Sequence, residues 1–437
     1  METVAVVVDP LLMRLLSLRA AGHSPLFGVA GAEARARATK LRDAVLARVA
    51  SWLVTVPGQS GARWAPLDFV DAFSSDELPP PGAAGTAARV LPGANTILLR
   101  GEGLPPWWTF GRYLGLRAYR NVPIAHIGAP PAERSASALG VATEGWHLDR
   151  VGGAEAVRGG QGVLVGVCDT GLDPNEPELV GRLHSFALFD EEGDQISDQA
   201  QDAAGHGTCV ARLVAGSANG LAPSAGLAVA AISTRADGWA TTAQMLAGLN
   251  WLTHHPFNHG DSGVDIINAS FGLDMEISDI TEKMLFRSEL YSHVGAAWDN
   301  GIAVIAAIGN EGRRGNGYHC SPGNYDKVLG VGCTDFDGYV SDASSWGTGP
   351  DPLGPLYPLP RICAPGIDVI VPTGATVPLS GTSFAAPIVS GIAAHRVSAD
   401  PALRRNPPAL YASLTSTHAP YKVPARGNLG GIGEIRF

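Results

Sequence analysis

The sequence predicts an α/β fold, a parallel sheet flanked by helices with a smaller N-terminal α/β region, and three features carry that expectation. From about residue 141 onward, apolar runs alternate with glycine-punctuated stretches of helical period, which is how a parallel sheet covered by helices reads. Polar residues gather just past the ends of those runs, where open α/β sheets place their ligand sites. The 437 residues are 45% hydrophobic and only 16% charged, enough to bury a large core in one sizeable domain, 141–437, beside a smaller one, 1–140.

Taken in order, residues 3–8 read as a buried strand, 11–18 as a short helix and 96–99 as a further strand. Leu41, Val45, Val49, Trp52 and Leu53 recur at helical spacing, which predicts an amphipathic helix over about 32–55. Residues 56–95, with Pro79-Pro80-Pro81-Gly82, read as loops or a linker around short strands. Trp107 and Trp108 follow two prolines and read as packing against the neighbouring domain. In the second region, residues 163–168 form a buried strand ending at Asp169, and Gly205 precedes a helix from His206 towards Gly216. Residues 264–268 form a strand leading into Ser270-Phe271-Gly272, and 302–308 another that ends in Gly309-Asn310-Glu311-Gly312. Gly381-Thr382-Ser383-Phe384-Ala385-Ala386-Pro387 opens a helix whose small residues allow close packing, with Pro387 expected in the first turn.

Composition narrows the function classes. The formal charge of −10 and the lack of a long basic run argue against nucleic acid or an anionic membrane surface as the main partner. Glu2 and Asp9-Pro10 are unlike a secretory leader, and no run of about 18 apolar residues predicts a membrane-spanning helix. Five cysteines, odd in number and at no metal-like spacing, suit a reducing compartment, so the expected location is cytoplasmic.

The chemistry is concentrated in four short motifs: Asp169 in Asp-Thr-Gly, His206 in Gly-His-Gly-Thr, Asn310 in Gly-Asn-Glu-Gly and Ser383 in Gly-Thr-Ser. A Gly-Thr-Ser tripeptide alone also fits an ordinary helix cap. Together, however, the four supply a complete apparatus. A serine hydroxyl is a poor nucleophile at neutral pH and needs an imidazole base, which in turn needs a carboxylate to hold its tautomer. A tetrahedral intermediate needs preorganised donors, and the Asn310 amide beside the Ser383 N–H answers that need.

On these four motifs the stretch from about 141 to the C-terminus resembles the subtilase family of serine endopeptidases, whose triad runs Asp, His, Ser along the chain. Val-Cys-Asp169-Thr-Gly, Gly-His206-Gly-Thr-Cys-Val-Ala, Asn-Ala-Ser270-Phe-Gly, Ala-Ile-Gly-Asn310-Glu-Gly and Gly-Thr-Ser383-Phe-Ala-Ala-Pro occur in the family's order. The resemblance implies a subtilisin-like sheet, peptide-bond hydrolysis through an acyl-enzyme, and protein or peptide substrates. It further implies that Ser270, Phe271 and Gly272 pair with the substrate backbone. Ala306, Ala307, Ile308 and Gly309 would wall the pocket before the cleaved bond, with Glu311 lending it acidity. The close at residues 414–417 and 430–433 resembles the end of the catalytic domain, with no further module expected.

No cofactor is required for this chemistry; structural calcium is common among relatives, but no metal ligands are assigned here. Cys209, Phe384 and Ile388 stand where relatives carry histidine, methionine and histidine, which bears on packing and preference rather than on the triad. Cys209 reads as a small buried apolar residue, and Cys168 is expected to point away from Asp169. Asp169 and Asp261 mimic an aspartic-protease pair, but strands alternating with helices exclude that mainly β fold. Ser262 mimics a chymotrypsin-like nucleophile without the following glycine. His254, His255 and His259 mimic a metal site, but Pro256 breaks the helix that spacing requires. Residues 1–140 are either a pro-region that covers the active site until cut or a permanent regulatory or recognition domain. The rival from another class is a non-hydrolytic peptide-binding protein on the same fold.

Overall fold

The computed structural model describes residues 2–8, 47, 49, 87–91, 96–101, 116–121, 123–126, 143–154, 158–257, 262–272, 280–349, 357–373, 375–422 and 431–437. Outside them lie the helix expected over 11–18, most of that over 32–55, the prolines at 79–81, Trp107, Trp108, His259 and Asp261. Ala47 and Val49 are helical, with Val49 buried, in keeping with an amphipathic helix there.

The chain divides into two units, and the first comprises Met1–Val122 with Ile277–Ser292. Its strands β1 (Glu2–Val8), β2 (Ala87–Leu91), β3 (Thr96–Gly101) and β4 (Leu116–Arg120) form an antiparallel sheet of order β2-β3-β1-β4. Val6, Leu91, Ile97 and Leu98 are buried. The buried hydroxyl of Thr96 donates to the carboxylate of Glu289 within the same unit.

The second unit comprises Pro123–Glu276 and His293–Phe437. It opens with β5 (Pro123–His126), α1 (Trp146–Val151), β6 (Leu164–Asp169), β7 (Leu183–Phe189), β8 (Gln195–Ser197), α2 (His206–Ala215), β9 (Gly226–Ala231), β10 (Trp239–Thr241), α3 (Thr242–His254) and β11 (Ile266–Ala269). Helix α4 (Ile280–Asp299) belongs to the first unit as far as Ser292 and to the second from His293, and after it come β12 (Ala303–Ala307), β13 (Val328–Thr334), β14 (Gly347–Gly349), β15 (Tyr357–Leu359) and β16 (Ile362–Pro365). The end of the unit holds β17 (Val369–Thr373), β18 (Ala375–Leu379), α5 (Thr382–Ala399), α6 (Pro407–Ser416), β19 (His418–Ala419) and β20 (Glu434–Ile435).

The large sheet runs β19-β20-β16-β13-β12-β11-β6-β9-β7-β8 and is parallel from β20 to β7, as the alternating pattern predicts. Its central strands are continuous apolar runs because both faces are covered. Val165 and Val167 join Val210 and Leu213 of α2 and Ile388 and Ile392 of α5 in one core. Gly166, between the two valines, faces Leu252 of α3, and a Cβ there would come within 2.9 Å of it. Cys168 likewise faces Gly248 of α3, so the thiol does point away from the side on which Asp169 meets α2.

Helix α5 runs through this core. From Thr382 to Ala394 every residue is buried, so the helix is apolar nearly all round rather than amphipathic. Burial of Phe384, Ile388, Val389 and Ile392 stabilises by roughly 1.5–3 kcal/mol per side chain before entropy is counted. Close packing explains its small residues: a Cβ on Gly391 would lie 2.7 Å from the Leu221 Cβ and 3.0 Å from the Val214 carbonyl of α2's last turn. Helix α3 starts with a reciprocal cap, in which the Thr241 hydroxyl accepts from the Gln244 N–H and the Gln244 side-chain Oε1 accepts from the Thr241 N–H.

Candidate active site

Asp169 closes β6 at the carboxyl edge of the sheet and His206 opens α2. Their side chains meet at 2.8 Å, Nδ1 of the imidazole against Oδ1 of the carboxylate. Asp169 is fully buried, and the same Oδ1 accepts the Thr170 N–H at 2.7 Å. A carboxylate acceptor at Nδ1 puts the ring hydrogen there and turns Nε2 into the basic nitrogen. Nε2 is buried and makes no hydrogen bond among the described residues. Such a group is costly to leave unpaired, which points to a partner that arrives with the reaction. Burial pulls the His206 pKa down, but the charge and hydrogen bond of Asp169, helped by Asp202, outweigh it and hold His206 above its ordinary 6.5. The Phe384 ring lies 5.2 Å from the imidazole, centre to centre, and fixes its tilt by packing.

Ser383 is the second residue of α5 and is 6% exposed. Pro387 lies in the second turn rather than the first, because the helix begins at Thr382. At that position it cannot donate to the carbonyl of Ser383, four residues back. The hydroxyl of Ser270 takes over, donating to that carbonyl at 2.8 Å. In the first turn, Phe384 N–H goes to the Gly381 carbonyl and Thr382 N–H to Asn310 Oδ1. Ser383 N–H is thus the donor for which the helix supplies no acceptor.

Asn310 follows β12, and its Oδ1 accepts both the N–H of Thr382 at 2.9 Å and its hydroxyl at 3.0 Å. Both bonds are to the oxygen, so the amide NH₂ is directed elsewhere, beside Gly381, where a Cβ would lie 3.3 Å from Nδ2. The structure therefore brings Asp169 and His206 into direct contact and ties Asn310 to the residue before Ser383. No hydrogen bond joins His206 Nε2 to Ser383; such bonds are often open without substrate.

Ser270, Phe271 and Gly272 leave β11, with Ser270 and Phe271 buried and Gly272 half-buried. Ala306 and Ala307 end β12, Ile308 and Gly309 follow it, all four are buried, and Gly309 has φ 111°, a conformation that favours glycine. Between the two stretches sits Cys320. A Cβ on Gly272 would come within 2.6 Å of its Cβ, and one on Gly309 within 2.7 Å of its Sγ. Glu311 is half-exposed and pairs with Arg314 at 3.4 Å, so its charge is partly compensated.

Three participants had escaped sequence reasoning. Thr382 holds Asn310, Cys320 sits between Gly272 and Gly309, and Asp202 gathers hydrogen bonds from both sides of the Asp169–His206 pair. The Thr-Ser pair of the Gly-Thr-Ser motif was a usable signal for the first; the other two have none. Cys209 is half-buried, and burial with nearby Asp202 pushes its thiol up to about 11, so it is no thiolate. His254 ends α3 with Nδ1 against the Asn250 carbonyl, and His255 packs on Trp251 and Phe257. Among the described residues no group of three or more His, Cys, Asp or Glu could hold a metal ion, and no helix is long and apolar enough to cross a membrane.

A parallel sheet with an Asp–His pair at its carboxyl edge and a serine at the head of a central buried helix defines a class. Residues 160–430 match the subtilase family, and the chain belongs to that family of serine peptidases. It is 32% identical to the serine protease AprX of Bacillus subtilis over 295 residues, 61% of this chain and 63% of that protein. It is 30% identical over 259 residues to the subtilisin-like protease PopC of Myxococcus xanthus, 55% of this chain and 52% of PopC. An intracellular serine protease of Paenibacillus polymyxa is 31% identical over 276 residues, 60% of this chain and 75% of that protein. The chain thus matches little more than half to three quarters of these relatives' lengths. The fold is subtilisin-like: a cold-adapted subtilisin-like serine proteinase superposes over 68% of this chain and 97% of its own, with a TM-score of 0.53 at 24% identity.

Proposed function

We propose that the chain is a serine endopeptidase that hydrolyses protein or peptide substrates through an acyl-enzyme. The observation that carries this reading is the 2.8 Å Asp169–His206 bond with Nε2 left buried and unbonded beside the helix that starts at Thr382 and Ser383. In this mechanism His206 takes the hydroxyl proton of Ser383 as Oγ attacks the peptide carbonyl, and then returns it to the leaving amine. Asp169 stabilises the imidazolium, while the Asn310 amide and the Ser383 N–H hold the oxyanion. Water then cleaves the acyl-enzyme by the same route. None of these steps calls for a cofactor.

Ser270, Phe271 and Gly272 pair with the substrate backbone in this reading, and Ala306, Ala307, Ile308, Gly309 and Cys320 wall the pocket. Residues 1–140 form a region that covers the cleft, separate from a peptidase domain of 141–437. At the end of that stretch, β5 pairs antiparallel with β10 within the second unit. Strand β10 belongs to the carboxyl edge, since the Ser233 hydroxyl donates to the Trp239 carbonyl at 2.8 Å and Ile232 N–H to the Asp169 carbonyl at 2.8 Å. A cytoplasmic location fits the five cysteines, odd in number, and the relative named as an intracellular serine protease.

The test is the intact mass of the full chain and of Ser383→Ala, before and after a fluorophosphonate probe. Probe mass on the parent chain alone is expected, with loss of about the first 140 residues if the covering region is self-cleaved. A parent chain that stays unlabelled after its N-terminal region is removed would sink the reading.

A further inference from the structure

We propose that Asp202 is a positioning residue of the triad, a single carboxylate that locks the turn after Asp169 to the first turn of the helix carrying His206. The inference rests on the serine-peptidase reading above. Asp202 Oδ1 accepts the Thr170 hydroxyl at 2.7 Å, the Gly205 N–H at 2.8 Å and the Ala204 N–H at 3.2 Å. Its Oδ2 accepts the N–H of Thr208 at 2.8 Å and the Thr208 hydroxyl at 2.7 Å. Those donors lie on both sides of the Asp169–His206 bond. Thr170 follows Asp169 and gives its own N–H to Asp169 Oδ1, while Thr208 sits two residues beyond His206.

The clamp is closed by three further bonds. The Thr170 hydroxyl, donating to Asp202, accepts the Gly207 N–H at 2.8 Å, and the Thr208 hydroxyl accepts the Asp173 N–H at 2.9 Å. Leu172 N–H reaches the Gln201 carbonyl at 3.0 Å. Contact is so close that a Cβ on Gly207 would lie 2.3 Å from the Gly171 carbonyl. The helix cap itself is Gly205, with φ 77° and no side chain to offer, so Asp202 supplies the acceptor that an ordinary N-cap side chain would give.

A carboxylate is required here rather than an amide. All five partners present hydrogens to it, and an Asn side chain would turn its NH₂ against at least one N–H or hydroxyl. Its charge also acts on His206. The charged groups acting on that imidazole are Asp169 from β6 and Asp202 from the preceding loop; Cys209 and Arg212 lie further along its own helix, and α5 presents the Phe384 ring. Arg212 is engaged by Glu176 and Glu178, and the Cys209 thiol is protonated at neutral pH. Asp202 therefore adds a negative charge that favours protonated His206, besides setting its place.

The experiment measures the second-order rate of fluorophosphonate labelling across pH, on the full chain, for the parent, Asp202→Asn and Thr170→Val, with thermal unfolding of each. D202N is expected to lower the alkaline plateau roughly 5–50-fold, as misplacement of a catalytic group does. It should also move the acid limb to lower pH by about half a unit, less than a carboxylate in direct contact produces. T170V removes the link but keeps the charge, so its plateau should fall while the limb stays in place. A D202N limb that does not move, with labelling reduced only in proportion to the folded fraction, would reduce Asp202 to an ordinary helix cap. Should D202N fail to fold, an unchanged T170V plateau overturns the clamp. A parent chain labelled at no pH, even without its N-terminal region, would instead bring down the serine-peptidase reading itself.

Discussion

The hydroxyl of Ser270 holds the main-chain carbonyl of Ser383 at 2.8 Å, because Pro387 has no N–H with which to complete the helix at that carbonyl. The tie continues inward. Asn268 Nδ2 donates to Ser270 Oγ at 2.8 Å, and the Ser390 hydroxyl, from the next turn of α5, donates to Asn268 Oδ1 at 3.0 Å. All four residues are buried, so strand β11 and helix α5 are joined exactly where the proposed nucleophile is mounted by a chain of bonds that water does not weaken.

Removing that hydroxyl should therefore be felt both in stability and at the site. Ser270→Ala leaves a buried carbonyl unpaired and is expected to cost about 1–3 kcal/mol in urea unfolding. Pro387→Ala supplies the missing N–H, so the double variant should recover much of the loss. Strictly additive effects in the double-mutant cycle would show that the two residues do not share this carbonyl.

The Asp169–His206 pair predicts the acid side of the activity profile. In the proposed mechanism catalysis needs neutral His206, and a pKa held above 6.5 means that activity should be lost as pH falls through a midpoint above that value. Asp169→Asn should keep the fold and lower kcat by about 10⁴, the loss known for a triad left with the wrong tautomer. An acid limb centred below 6.5 in the parent would contradict the pairing.

Asn310 and Thr382 should separate into donor and support. Asn310→Ala is expected to lower kcat about 10²–10³-fold with little change in KM, the range known for the same kind of donor in subtilisin. Thr382→Val keeps the main-chain bond to Asn310 Oδ1 and loses only the hydroxyl bond, so its kcat should fall less. Equal losses, or a loss confined to KM, would count against an oxyanion role.

Arg212 predicts a stability effect of a different kind. It is buried on α2 and engages Glu176 at 3.3 Å and Glu178 more closely. Arg212→Ala takes the cation away from both carboxylates, of which Glu178 keeps its bonds from Ala218 and Asn219, and should cost about 3–5 kcal/mol. Burial raises the Glu178 pKa, but the Asn219 main chain and Arg212 outweigh it and hold the group below 4.5. A carboxyl lowered in the folded state stabilises above its unfolded pKa, and that contribution is lost as pH falls through the folded one. Thermal unfolding of the parent should therefore weaken with acid below about 4.5, and the variant should show a shallower dependence there.

Much of the molecule was legible in one dimension. The apolar runs at 163–168 and 302–308, and the Ile266-Ile267 pair within 264–268, became β6, β12 and β11 to within a few residues, because strands buried on both faces are largely apolar. The helix opening at His206 was equally plain from its preceding glycine. Pro387 was misjudged by a turn, since a proline after Gly-Thr-Ser looks like a first-turn residue until the helix is seen to start at Thr382.

Local pattern and motif order thus specified the α/β class, the family and the residue types gathered at the strand ends. Three-dimensional packing decided how those residues are held. Ser270 meets Ser383, Thr382 meets Asn310, Cys320 slots between Gly272 and Gly309, and Asp202 spans Thr170 and Thr208, contacts that join residues as far as 113 positions apart. Hydrogen bonds and steric contacts of this kind depend on atoms brought within about 3 Å by the sheet and helix packing, and sequence periodicity carries no record of which distant side chains will share that space.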